Sequence, residues 1–404
     1  MSTSLLYHGF GVRGYAYVHT QYEDGAVIFT VRQNFQALTC SSCGSGQVIR
    51  RGQVWRRFRS LPIGLRPVWV SLAIQRVCCI ACGLVRQVRV GFADPRRTYT
   101  KAFERYAWEL SRHMTMLDVA RHLNVSWDVI KEIQKRNLQR RFSRPKLRKL
   151  QQIAIDEITT GKGHRYLTLV LDLGTAAVVF VGEGKGIEVL EPFWRRLKCS
   201  RARVQAVAMD MSPAYISAVM THLPQATIVF DHFHIIKLYN ERLSDLRRRL
   251  YHEAKTVSEK EVLKGTRWLL LKNPEHLEAT RNEAQRLQEA LALNQPLATA
   301  YYLKEDLRRL WVQPDKRLAE AFLTDWIARA NSSGIRMLVQ FAHTLEAHRA
   351  GILAYYDYPI STGPLEGTNN KIKTLKRQAY GFRDLEFFKL KIMAIHKMKY
   401  ALVG

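Results

Sequence analysis

Three carboxylates and four thiols in this 404-residue chain have the types and spacing that chemistry requires. Asp156 lies in QIAIDEI, where alternation gives Ile153 and Ile155 one face of a strand and Asp156, at its end, the other. Asp210 likewise ends VQAVAMD. Carboxylates at the ends of neighbouring strands can share two divalent cations about 3.5–4 Å apart, which activate an attacking oxygen and stabilise the departing one. Asp172 is a rival by the same geometry, whereas Glu157 should point to the opposite side of the sheet from Asp156. Glu366 heads STGPLEGTNNKIKTLKR. Thr362 caps that helix, Pro364 occupies a permitted first turn and Gly381 stops it, so Glu366 falls in the opening turn. Asn370, Lys373 and Arg377 follow on the face that bears Glu366, so that a metal ligand and phosphate-binding groups share one stripe.

The thiols form two C-x2-C pairs, Cys40/Cys43 and Cys79/Cys82, each followed by glycine (Gly44, Gly83). Glycine lets each turn fold back toward a metal, and the set predicts one structural Zn2+ in a zinc ribbon with a long hairpin between its knuckles. Cys78 adjoins Cys79 as a competing ligand, and Cys199 reads as a core thiol.

The elements that position these groups sit in a strongly basic chain. With 63 Lys+Arg against 35 Asp+Glu the net charge is +28, which predicts a polyanionic partner, nucleic acid above all. The longest apolar run, Leu167 to Val181, is broken by Asp172 and Gly174, so no membrane partner is expected. No charged-then-apolar leader opens the sequence, and the expected location is the cytoplasm. Without a Gly-x4-Gly-Lys-Ser/Thr loop, ATP is not implied.

From Gly25 to Ala93 there is no acid but ten arginines, among interleaved aromatics and turn residues that predict short strands. Arg50, Arg51, Arg56, Arg57 and Arg59 are candidate phosphate contacts. From Tyr99 to Gln139 the periodicity is helical. MLDVARHLNVSWDVIKEI reads as a helix-turn-helix: Leu117, Ala120 and Leu123 pack one helix, and Val129, Ile130 and Ile133 the next. Asn124-Val125 turns, Ser126 caps, and Trp127, Lys131 and Gln134 face a major groove. Residues 133–155 are acid-free, and Arg140 and Arg141 begin a basic linker suited to a phosphate backbone. Residues 152–232 alternate as three strands, a helix, a strand, a helix and a strand, a mixed α/β sheet. After His234 the chain is strongly helical.

These residues resemble the transposases of the bacterial insertion-sequence ISL-three family, along nearly the whole chain. The likeness rests on RSLPIGLRPVWV, LDVARHLNVSWDVIKEI, IAIDEI, VAMDMSPAY, VFDHFHIIK, LKGTRWLLLKNPEHL and EGTNNKIKTLKRQAYGF. It implies a zinc-binding N-terminus, a helix-turn-helix and an RNase-H-like DDE domain whose triad is Asp156, Asp210 and Glu366. The resemblance also marks Asp231 and His234 as neighbours of the active site, although His234 reads equally as a satisfied core histidine. Thr362 stands where the family commonly has Asn.

The stretch from Asp210 to Glu366 exceeds what one crossover helix needs, so a helical domain is expected to interrupt the catalytic fold. The organisation this predicts is a zinc ribbon (1–98), a helix-turn-helix with basic linker (99–150), and a catalytic domain in two parts (151–238 and 346–404) around an all-helical insertion (239–345). Trp268, within the insertion, is a candidate for stacking on an unpaired base, although its leucine neighbours favour core burial. The function these features predict is binding of an element's terminal inverted repeats, cleavage of phosphodiesters and transfer of 3′-OH ends to target duplex DNA, with two Mg2+ or Mn2+ ions and at least a homodimer. A non-catalytic DNA-binding regulator would bind without ever producing cut ends, and a structure-specific nuclease would cut without joining.

Overall fold

The computed structural model describes residues 4–33, 38–161 and 165–396, which fall into two compact units. The first comprises residues 1–144 and 374–404, the second 145–373.

After a short helix α1 (Leu5–His8), the first unit builds a sheet from β1 (Tyr15–Glu23), β2 (Ala26–Gln33), β3 (Val48–Ile63), β4 (Arg66–Cys79) and β5 (Val85–Gln87), in the order β1-β2-β4-β3 with β5 also on β4. The strands expected to be short are long, sixteen residues in β3 and fourteen in β4. Gly52, at φ 98°, explains the difference: it sits at a register shift, so the backbone bulges there and pairing resumes beyond it. Phe58, Val68, Val70, Leu72 and Ile74 form the buried face. Three helices follow, α2 (Lys101–Leu110), α3 (Met116–Leu123) and α4 (Trp127–Phe142).

In the second unit β6 (Gln152–Gly161), β7 (Arg165–Asp172) and β8 (Ala177–Glu183) form an antiparallel meander. Helix α5 (Glu191–Ser200) leads to β9 (Ala206–Met209), and α6 (Pro213–His222) to β10 (Thr227–Phe230), both parallel to β6, giving the order β10-β9-β6-β7-β8. This is the mixed sheet that the alternating runs predict. Ile153, Ile155, Val170 and Val207 bury one face against Phe193, Trp194 and Val219 of α5 and α6.

A long helix α7 (His232–Glu253) then opens a helical run of α8 (Val257–Gly265), α9 (Arg267–Leu271), α10 (Glu283–Leu293), α11 (Gln295–Arg308), α12 (Lys316–Ser332), α13 (Arg336–Ala347) and α14 (Arg349–Leu353). Its core centres on Tyr239, Leu243, Trp326 and Phe341, and Trp326 Nε1 donates to the Leu303 carbonyl at 2.8 Å, which removes the cost of burying the indole N–H. Helix α15 (Gly363–Gln378) carries Glu366, and α16 (Leu385–Ala394) packs on α4 within the first unit. Of the described residues near the C-terminus, 374–396 fall in the first unit and 346–373 in the second.

Candidate active site and nucleic-acid interface

Alternation along β6 divides its side chains between two environments. Glu157 falls with Ile153 and Ile155 on the α5–α6 side, where the Tyr215 hydroxyl donates to its Oε1 at 2.7 Å. Burial pushes the Glu157 carboxyl up, and the bond from Tyr215 opposes that. Asp156 takes the other side. It does not end the strand, because β7 goes on pairing β6 through Asp156↔Leu169 and Glu157↔Thr168. The pairing with β9, by contrast, stops at Ala154↔Ala208, and Asp210 follows directly after β9. Asp210 thus follows the point where the parallel pairing ends, near enough for its charge to act on Asp156, and its carboxylate accepts the Ser212 amide at 3.1 Å.

Asp156 is held from two directions. Its Oδ1 accepts the Glu157 amide at 2.7 Å and its Oδ2 accepts Asn369 Nδ2 of α15 at 2.8 Å. Burial raises the Asp156 carboxyl above its usual range and the charge of Asp210 adds to this, while the Glu157 amide, His234 and Asn369 pull it back. A buried carboxylate beside a second one is a place where a cation is favoured.

Glu366 stands in the first turn of α15, three residues before Asn369, and is exposed with Asn370, Lys373 and Arg377 along the predicted stripe. Leu365, Ile372 and Leu375 bury the other face. Among the described residues, the carboxylate oxygens of Asp156, Asp210 and Glu366 do not all come within 4.8 Å of one another. Asn369 is a site residue that the sequence reading misses. Its signal is the i+3 position from Glu366, as close to that face as the i+4 position assigned to Asn370.

Thr362 caps α15 through its carbonyl, which accepts the Leu365 and Glu366 amides at 2.8 and 2.9 Å. Its hydroxyl, expected to cap, donates instead to Asp231 Oδ2 at 2.5 Å, where it satisfies one oxygen of a buried carboxyl group. Asp231 heads α7 and is 2% exposed. Its Oδ1 has no hydrogen bond and lies 3.6 Å from His232 Nδ1. His234, half-buried on the same turn, is near enough for its charge to act on Asp156. Asp172 accepts the Gly174 amide at 3.0 Å and the Thr175 hydroxyl at 2.6 Å, closing the turn into β8, and pairs opposite Ile153 rather than Asp156.

In the first unit the four predicted sulfurs converge. Cys40 Sγ lies 3.8 Å from Cys82 Sγ and Cys43 Sγ 3.5 Å from Cys79 Sγ, with all four within 4.8 Å. Disulfides require about 2.05 Å, whereas four thiolates about 2.3 Å from one ion stand about 3.8 Å apart. The knuckles close through Gly44 N to Cys40 O and Gly83 N to Cys79 O, both 2.9 Å, with the glycines at φ 80° and 69°. The Cys43 and Ser42 amides lower Cys40 to about 6. Cys82 is pushed up to about 12, because burial and the three other sulfurs outweigh the Leu84 amide. The cluster could hold a metal ion. Cys78 stays outside it, and Cys199 is exposed rather than a core thiol, since Phe193, Trp194 and Leu197 take the inner face of α5.

The helix-turn-helix forms with Asn124 in the left-handed conformation (φ 49°) and Thr115 accepting the Asp118 amide at the start of α3. Several expectations need correction. Leu117 is 47% exposed, and Met116 and Val119 pack with Ala120 and Leu123 instead. Ser126 occupies the N-cap position without a side-chain cap bond. Gln134 is buried, on a helix whose Ile130, Ile133 and Leu138 share a core with Phe387, Leu390 and Ala394 of α16. Lys131 pairs with Asp384 at 3.3 Å and lies over the exposed Trp127 ring. Arg59 is buried under the turn, where it donates to the Leu123 carbonyl at 2.7 Å beside Trp69 and Phe103, so it anchors the helices and cannot reach DNA.

The other cations vary in availability. Arg56 donates to the Arg97 carbonyl at 2.7 Å, Arg57 pairs with Glu23 at 3.0 Å, Arg140 donates to Asn137, and Arg141 lies over Trp108. Arg50 and Arg51 are exposed on β3. Trp268 is 65% exposed with Arg267 over its ring, so the expected core burial does not occur; Leu269 and Leu270 turn inward in its place.

The chain thus carries a helix-turn-helix and a mixed sheet with Asp156 on one strand and Asp210 after the next, and the relatives it matches are DNA-processing enzymes. Two family profiles match: one described as "Transposase" over residues 153–392, and one described as the helix-turn-helix domain of transposase family ISL3 over 88–136. The chain belongs to the ISL3 family of transposases. It is 35% identical over 364 residues to the transposase for insertion sequence element IS1001 of Bordetella parapertussis, covering 89% of both chains. With the transposase for insertion sequence element IS1557 of Mycobacterium tuberculosis the identity is 30% over 389 residues, 89% of this chain and 86% of that one. Among the described residues no helix is long and apolar enough to cross a membrane.

Proposed function

We propose that this chain is a DDE-type transposase that binds the terminal inverted repeats of its element, cuts phosphodiesters there and transfers the 3′-OH ends to target DNA. One observation carries the reading: Asn369 ties the helix that bears Glu366 to Asp156, whose carboxyl also feels the charge of Asp210. Asp156, Asp210 and Glu366 would hold two Mg2+ or Mn2+ ions, and an all-oxygen donor set suits such hard cations. Bound there, the ions supply Lewis acidity and charge neutralisation at the reacting phosphate. Asn369 would orient the Asp156 carboxylate through its side-chain hydrogen bond. No residue forms a covalent intermediate.

The order β10-β9-β6-β7-β8 supports an RNase-H-like catalytic fold, with the helices of about 239–345 inserted before α15. The tetrathiolate would hold one structural Zn2+. Joining two ends requires at least a dimer on DNA, and the working location is the bacterial cytoplasm at the nucleoid. Incubating the purified chain with element-end duplex, target plasmid and Mg2+ tests the proposal. Cut ends and joined products are expected; binding without cutting would make it a regulator, and cutting without joining a nuclease.

A further inference from the structure

The sheet of the second unit carries a second feature that the carboxylate site does not use. Arg148 and Lys149, just before β6, and Arg201 and Arg203, just before β9, line one open concavity of about 630 Å3 with Gln151 and Gln205. All four cations are exposed, and among the described residues none has a carboxylate partner. No acid lines the space, and the one apolar residue in the lining, Leu150, is 2% exposed.

The scaffold beneath is fixed. Gln205 N donates to Gln151 O at 2.7 Å, which locks the two approaches to the parallel strands together. Leu147 and Leu150 sink into the core on one side and Val204 on the other. Arg201 closes α5 in the left-handed conformation, φ 56°, which turns the chain back toward β9. Four cations on a rigid edge, with nothing to neutralise them, repel one another unless an anion joins them.

We propose that this concavity grips the phosphodiester backbone of duplex DNA without regard to sequence. The lining supports that partner over others: it has no aromatic group on which a base could stack and no exposed apolar anchor for a peptide, and the four cations carry charge suited to successive phosphates. The position separates this DNA from the reacting bond. Asp156 lies four residues beyond Gln152, about 13 Å along the strand at about 3.3 Å per residue, so the concavity holds a stretch of duplex other than the phosphate at the carboxylates. The assignment of that stretch to target or flanking DNA rests on the transposase mechanism proposed above; the grip itself does not.

The test uses the full chain, a random-sequence 40-base-pair duplex and a salt series. The variant is Arg148→Gln, Lys149→Gln, Arg201→Gln and Arg203→Gln together, with Arg201→Gln and Arg203→Gln alone as a milder form. A control removes the same charge at exposed positions elsewhere, Lys264→Gln, Arg281→Gln, Arg309→Gln and Arg317→Gln. The slope of log affinity against log salt should become shallower by about 2–4 in the fourfold variant and by about half of that in the milder one, while the control changes little. An unchanged slope, or the same loss in the control, overturns the proposal. So does inorganic phosphate binding that is lost in the fourfold variant while duplex affinity and its salt slope stay as in the parent, which would assign the site to a free anion. If the slope responds but ends are never joined, the mechanism fails and the grip stands; if ends are joined and the slope is unmoved, the grip fails alone.

Discussion

Asn369 Nδ2 donates to Asp156 Oδ2 at 2.8 Å, so the carboxylate at the centre of the sheet and the helix that presents Glu366 are held by one hydrogen bond. Residues that orient a metal ligand typically change metal affinity or activity 10–100-fold when removed. Asn369→Ala should therefore lower the cleavage rate by about tenfold or more and raise the Mg2+ concentration needed, with binding to element ends unchanged. Wild-type cleavage at every Mg2+ concentration would show that the bond is structural only.

The carboxylates are expected to act through charge. Asp156→Asn, Asp210→Asn and Glu366→Gln keep side-chain volume, and each should abolish both cutting and joining in Mg2+ or Mn2+ while DNA binding holds or strengthens. Asp172→Asn should retain activity, because that side chain serves the turn into β8. A triad variant that cuts and joins at the parental rate would remove that residue from the site.

One zinc per chain is expected in the purified protein by elemental analysis. Cys40→Ser with Cys79→Ser should release it, lower the melting temperature and weaken end binding. Retention of the full melting temperature and of binding would argue that the four thiols do not hold a structural ion.

Within the helix-turn-helix the exposed and buried residues should separate. Trp127→Ala should narrow the gap between specific and random DNA, whereas Gln134→Ala should cost about 1–3 kcal/mol of stability and leave that gap intact. Arg50→Ala with Arg51→Ala should weaken both DNAs alike and flatten the salt slope by about 1–2. A Gln134→Ala protein of normal stability but relaxed specificity would restore the base-reading role expected from sequence.

Lys391 is buried on α16, and burial lowers its ammonium to about 8 from 10.5. Between those values the unfolded chain binds the extra proton, so this group makes stability rise with pH from about 8 to 10.5, and below 8 the buried charge costs up to about 3 kcal/mol. Lys391→Met should raise the melting temperature at pH 7, with the gain shrinking toward pH 10. An equal gain at both pH values would assign it to packing.

Much of this was readable where one local pattern decides the outcome. Strand alternation placed Asp156 opposite Ile153 and Ile155, and paired C-x2-C spacing placed the four sulfurs together. The failures share a different cause, which is burial by elements distant in sequence. Gln134 lies outward by the periodicity of α4 alone, but it is buried in a helix that also packs against α16, far later in the chain. Arg59 looks like its exposed neighbours on β3 until the turn at Leu123 closes over it. Trp268 failed in the opposite sense: two leucines beside it satisfied the core and left the indole outside.

The hairpin of β3 and β4 pairs Val48 with Cys79 and Ile49 with Cys78, so its alignment decides which thiol arrives at the knuckle. A slip of one residue would turn every side chain of a strand to the other face. Cys79 would leave the cluster and Cys78 would take its place, so the out-of-step hairpin still offers a fourth sulfur. An ion held by these thiols would therefore fix whichever alignment it met: bound early it would seal either one, and bound late only the finished one. Refolding yield should then depend on when zinc is added, and Cys78→Ser should remove that dependence while leaving the finished ribbon unchanged.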